Sequence, residues 1–106
     1  MAGITTHVLD TAKGRPAAGI AVTLAIFSGE WRTIGHGVTD SEGRLRTLTD
    51  GVALQQANYR LTFETGDYNR GFFPEVSIIF RVDDPTQHYH VPLLLSPFGY
   101  STYRGT

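Results

Sequence analysis

The chain has 106 residues, 12 of them glycine and none cysteine, with nine Lys and Arg against ten Asp and Glu for a formal net charge of −1. That length holds one domain, residues 1–106, with a single core and no spare volume for a deep private pocket, so an active site is expected on a surface or between subunits. A near-neutral chain whose only lysine is Lys13 offers no basic stripe for phosphates, which excludes nucleic acid, and the lack of cysteine excludes disulfides, thiolate nucleophiles and thiolate zinc sites.

The first residues, Met1 to His7, show neither the basic nor the apolar region of a leader. No apolar run approaches the roughly 20 residues that span a bilayer. A cytoplasmic protein with no membrane partner is expected. Ile4 to Asp10 reads as a strand in which Ile4, Thr6 and Val8 face one way and His7 the other. Lys13-Gly14-Arg15-Pro16 reads as a turn. Ile20, Val22, Leu24 and Ile26 then share one face of a second strand, ended by Ser28-Gly29, and Trp31 to Val38 forms a third. Within it His36, between two glycines, has no polar company. Asp40-Ser41-Glu42-Gly43 is a turn that delivers Arg44 to the start of a short strand over Leu45 to Leu48. Arg44 is either an ordinary strand-start residue or a charged fork able to hold a planar anion at two points.

Beyond Asp50-Gly51, Tyr59, Leu61 and Phe63 alternate with polar residues, as do Val76, Ile78, Phe80 and Val82. Only Asp67 to Phe73, between these two strands, has room for a helical turn or two, with Pro74 ending it. In the last long strand Tyr89, Val91, Leu93 and Leu95 fill the core and turn His88, His90, Pro92 and Leu94 outward. That set is poorly suited to water, so a second subunit is expected to cover this face. Pro92 lacks an N–H and requires an edge or non-bonded ladder position. A final strand, Tyr100 to Arg104, carries into the polar tail Tyr103-Arg104-Gly105-Thr106, where phenol, guanidinium, hydroxyl and carboxylate crowd together. About eight short strands at this spacing make an all-β sandwich.

His88-x-His90 admits three readings: a metal pair, structural or solvent-facing imidazoles, or acid–base groups. No Asp, Glu or Cys set completes a metal site, and no serine elbow, P-loop or dinucleotide fingerprint is present, so the expected nucleophile is water.

Thr6-His7-Val8-Leu9-Asp10, Gly43-Arg44, the run from His88 to Pro97 and the ending Tyr100 to Thr106 closely resemble the transthyretin-related 5-hydroxyisourate hydrolases, from residue 4 to the end. The resemblance implies a transthyretin-like sandwich of two four-stranded sheets with one short helix. It further implies a homotetramer, a dimer of dimers, whose outward sheet faces line a central channel. By the same resemblance His7, Arg44 and His90 are catalytic, Tyr103, Arg104, Gly105 and Thr106 bind the purine-derived substrate, and neither metal nor organic cofactor is needed. The family usually ends in Ser; Thr106 keeps the hydroxyl and adds a methyl. Two rival readings are a transthyretin-like carrier of a small ligand, which calls for apolar or neutral residues at positions 7, 44 and 90, and an adhesion-type sandwich without chemistry. Which histidine is base and which acid is left open by the sequence.

Overall fold

Strand alternation sorts the side chains into a core and two outer faces. In the computed structural model, which describes residues 2–106, the strands are β1 (Gly3–Asp10), β2 (Arg15–Pro16), β3 (Ala21–Phe27), β4 (Trp31–Val38), β5 (Arg44–Leu45), β6 (Ala57–Phe63), β7 (Val76–Val82), β8 (His88–Ser96) and β9 (Gly99–Thr102), and the one helix is α1 (Gly66–Asn69). One sheet runs β4-β3-β6-β7; the other runs β2-β1-β8-β9, with β5 also paired to β1. Between them pack Ile4, Val8, Val22, Leu24, Tyr59, Leu61, Phe63, Leu93 and Leu95, none more than 1% exposed. Full burial of an aliphatic side chain of this kind stabilises by about 1.5–3 kcal/mol. The two-sheet sandwich with a single short helix is present as expected.

Four local expectations need correction. The first sheet has five strands, because Arg15 and Pro16 leave their turn to pair with Asp10 and Leu9. This extends the cover of the β1 edge that β5 begins further along. The short strand expected over 45–48 is Arg44–Leu45. After it the chain turns through Asp50 N–H to Thr47 C=O (3.1 Å) and Val52 N–H to Thr49 C=O (3.0 Å), sending Leu48 into the core without a ladder. The helix ends at Asn69 because Arg70 adopts φ 53° and its N–H caps Gly66 C=O, well before Pro74. Finally β9 stops at Thr102, and the chain returns to the sheet only at Gly105, which bridges His90.

Pro92 sits where its missing N–H costs no bond. Its C=O accepts the Thr102 hydroxyl at 2.7 Å on the β9 side, and the β9 ladder begins one residue later, at Leu93. Its side chain is buried, not solvent-facing. No helix among the described residues is long and apolar enough to cross a membrane.

One buried carboxylate ties the helix to β1. Asp10, 5% exposed, accepts the N–H groups of Ala12 and Lys13 at 3.0 Å on Oδ1 and the Tyr68 hydroxyl at 2.7 Å on Oδ2. Burial alone raises its pKa, but these hydrogen bonds and Lys13 outweigh it and hold the carboxyl below the usual range. A carboxyl depressed in the folded state contributes stability that is complete above its unfolded pKa of about 3.9 and lost as pH falls through the folded value. Tyr68→Phe is therefore expected to cost about 2 kcal/mol at pH 7. The difference from wild type shrinks as pH falls below the ordinary carboxylate range, as urea unfolding at neutral and at acid pH would show.

Candidate active site

Neighbouring strands of the first sheet carry the polar cluster, and their register decides which side chains meet. β1 and β8 run parallel with Thr5 opposite His90 and His7 opposite Pro92, while β5 sets Arg44 opposite His7. The odd residues of β1 and the even residues of β8 thus share one outer face.

Arg44 arrives there through a rigid turn. Asp40 Oδ1 accepts the N–H groups of Glu42 and Arg44, both at 2.9 Å. The Arg44 N–H is the main reason the Asp40 carboxyl lies below its ordinary pKa, outweighing the effect of desolvation. Gly43 takes φ +75°, and a Cβ there would lie 2.4 Å from Val8 C=O, so no other residue fits this turn. The turn also presents Glu42 C=O, to which His7 Nε2 donates at 2.8 Å. His7 therefore carries a proton on Nε2, which leaves Nδ1 as the acceptor in the neutral ring. The Arg44 Nε to Glu42 Oε1 distance of 3.9 Å is a loose surface pairing that leaves the guanidinium available.

His90 is half-buried and held on three sides. Its Nδ1 lies 2.8 Å from Thr5 Oγ1, and its C=O accepts the Gly105 N–H at 2.8 Å. The bare Cα of Gly105 lies so close to the ring that a Cβ would stand 2.7 Å from His90 Cδ2. Burial, then the electrostatic influence of His88, Arg44, His7 and Arg46, pushes the His90 pKa below that of an ordinary histidine. It is consequently neutral near pH 7, with Nε2 uncommitted to any hydrogen bond among the described residues.

A cleft of about 720 Å³ opens over this cluster, lined by Thr5, Arg44, Arg46, His88, His90 and Thr106 among others. The structure thus brings Arg44, His90 and Thr106 together, with His7 beside Arg44 in the ladder and Gly105 behind the His90 ring. Tyr103 and Arg104 lie elsewhere. Tyr103 is 57% exposed over an apolar groove beside β7. Arg104 stacks its guanidinium 4.5 Å from the Tyr89 ring centroid and donates to Gln87 Oε1 at 3.0 Å, which anchors the tail. The described residues contain no group of three or more His, Cys, Asp or Glu able to hold a metal ion. Thr5 and Arg46 line the cleft without having been singled out from the sequence. Thr5 stands two residues from His7 on β1, and that same-face spacing was the available signal; Arg46 lies beyond the end of β5, where strand spacing supplies none.

A neutral imidazole with a free nitrogen, in an open cleft that two arginines also line, is chemically able to accept a proton from water. The fold is a transthyretin-like sandwich with this cleft on the outer face of its first sheet. The sequence profile of the HIUase/Transthyretin family matches residues 4–105, and the chain belongs to that family. It is 46% identical to the 5-hydroxyisourate hydrolase of Deinococcus radiodurans, with 98% of this chain and 96% of that protein aligned. Equal identity, 46%, links it to the uric acid degradation bifunctional protein TTL of Arabidopsis thaliana, where the match covers 97% of this chain but only 37% of the longer plant protein. Among solved structures, Klebsiella pneumoniae 5-hydroxyisourate hydrolase superposes with a TM-score of 0.87 at 36% identity over all of both chains. Sea bream transthyretin in complex with thyroxine gives 0.90 at 30% identity, covering 97% of this chain and 94% of that one.

Proposed function

We propose that the protein is a hydrolase of 5-hydroxyisourate, opening its cyclic amide to 2-oxo-4-hydroxy-4-carboxy-5-ureidoimidazoline in urate degradation. The observation that carries the reading is a neutral-held His90 facing Arg44 and Arg46, in a chain 46% identical over nearly its full length to a 5-hydroxyisourate hydrolase. His90 Nε2 takes a proton from water as the water oxygen bonds to the amide carbon. Arg44 holds the oxygen on which negative charge develops. The carbon–nitrogen bond breaks, and the leaving nitrogen receives the proton. His7, its tautomer set by Glu42 C=O, completes the catalytic trio. Gly105 and Thr106 act from within the chain, and Arg104 secures the tail that carries them. Tyr103 contributes by meeting a facing copy.

We further propose that four copies assemble as a dimer of dimers and close the cleft between subunits, without metal or organic cofactor. Support comes from the apolar side chains left on the surface: Ile79 is 60% exposed, Phe98 83% and Tyr103 57%. Generating hydroxyisourate in situ from urate and following its absorbance tests the chemistry; decay no faster than the spontaneous reaction would sink it. Light scattering is expected to give four times the 11.7 kDa of one chain. A fully active monomer would rule out the shared site.

A further inference from the structure

The hydroxyl of Thr5 lies 2.8 Å from His90 Nδ1 and 2.8 Å from His88 Nε2, so a single oxygen joins the two imidazoles. A hydroxyl has one hydrogen, so when both rings are neutral it donates to one and accepts from the other. Two arrangements satisfy this. With Thr5 donating to His88, His90 carries its proton on Nδ1 and presents a bare Nε2, a base. With Thr5 donating to His90, the His90 proton stands on Nε2, an acid.

We propose that Thr5 is a positioning residue that relays a proton between His90 and His88, allowing His90 to act as base and then as acid in one turnover without becoming a cation. The inference rests on the hydrolysis proposed above. As water attacks, its proton goes to His90 Nε2, the His90 Nδ1 proton passes to Thr5 Oγ1, and the Thr5 hydrogen passes to His88 Nε2. His88 is then the imidazolium. When the carbon–nitrogen bond breaks, the His90 Nε2 proton moves to the leaving nitrogen. His88 returns its proton to Thr5, and Thr5 restores His90 Nδ1. The net change is one water added across the bond, with every side chain as it began.

The electrostatics favour this route over a charged His90. Facing His90 are His7 from β1, Arg44 from β5, Arg46 just beyond it and His88 from β8, with Asp50 and Thr106 further round the cleft. A second positive charge at half-buried His90 is disfavoured by four cationic or titratable neighbours. At exposed His88 the same charge is solvated.

The test compares Thr5→Val, which keeps the shape, with Thr5→Ser, which keeps the hydroxyl. Thr5→Val is expected to lower kcat about 10- to 100-fold, within the worth of an acid–base contribution, with KM within about twofold; Thr5→Ser retains most of the rate. A second readout needs no substrate. At pH 8.5, where the imidazoles are neutral, ¹⁵N NMR gives the His90 tautomer ratio. His88→Ala is expected to shift that ratio in the wild-type background and to leave it unchanged in Thr5→Val. Equal losses in the Val and Ser variants, or a wild-type kcat in Thr5→Val, overturn the relay. So does a His90 tautomer ratio that ignores His88 when Thr5 is present. If Thr5→Val does not fold, His88→Ala at its exposed position carries the kinetic test, with the same fall in kcat expected and an unchanged rate overturning the relay. A wild-type protein that does not speed hydroxyisourate decay overturns the proposed function instead, and the NMR experiment still reads the relay separately.

Discussion

His90→Gln is expected to lose about a thousandfold in kcat, within the range of a removed general base, while the protein remains folded. The fold survives because the structural duties of His90 belong to its main chain: its C=O takes the Gly105 N–H, and its backbone pairs with Thr5 in the parallel ladder. Gln fills similar space and still offers a group to the Thr5 hydroxyl, but it does not take a proton from water near neutrality. KM is expected to change little, because substrate oxygens are held by the guanidiniums. Steady-state kinetics on hydroxyisourate, with thermal unfolding as a control, decide the matter. A rate within a few fold of wild type would move the base to His7, whose Nε2–H bond to Glu42 C=O leaves Nδ1 bare.

The alternation that marks β1 and β8 in the sequence is imposed by the core. The inward residues are mostly apolar, with Thr6 and Asp10 of β1 the hydrogen-bonded exceptions, so the outward positions of His7, His88 and His90 follow from counting by two. Arg44 is legible for a related reason: an Asp-x-x-Gly turn has few geometries, and Gly43 in the left-handed region leaves one direction for the next strand. Thr5 is less legible, since a threonine on a strand is ordinary until the parallel register sets it opposite His90. Periodicity supplies no register. Arg46 escapes notice because β5 ends at Leu45, and its approach to the cleft depends on the irregular turn that follows. The tail is legible only in part. Its dense polar side chains suggest a joint role, and within the chain Arg104 is held by the Tyr89 ring and Gln87, partners remote in sequence. The helix end at Arg70 and the pairing of Arg15-Pro16 depend on the same kind of tertiary detail.

Arg44→Ala is expected to lower the plateau rate at least ~100-fold, the cost of removing one donor from an oxyanion-type contact, and also to change the pH profile. The turn itself survives, because Asp40 grips the main-chain N–H of residue 44 and not its side chain. The second effect has a definite sign. Arg44 is one of the positive groups that depress the His90 pKa, so its removal makes protonated His90 less unfavourable and raises that pKa toward about 6.5. Activity requires neutral His90; the acid limb of kcat/KM therefore moves to higher pH, and the variant loses proportionally more rate at pH 5.5 than at pH 8. Arg44→Lys separates the two roles. It retains the charge and leaves the limb near its wild-type position, but its single ammonium lacks the planar fork, so the plateau still falls. A limb that shifts in Arg44→Ala with no fall in plateau would make Arg44 a tuner of His90 that never touches substrate. A fall in plateau with an unmoved limb would leave burial, His88, His7 and Arg46 to hold His90 neutral. Only the combination of both effects fits a guanidinium that holds the developing charge while repelling a proton from the base beside it.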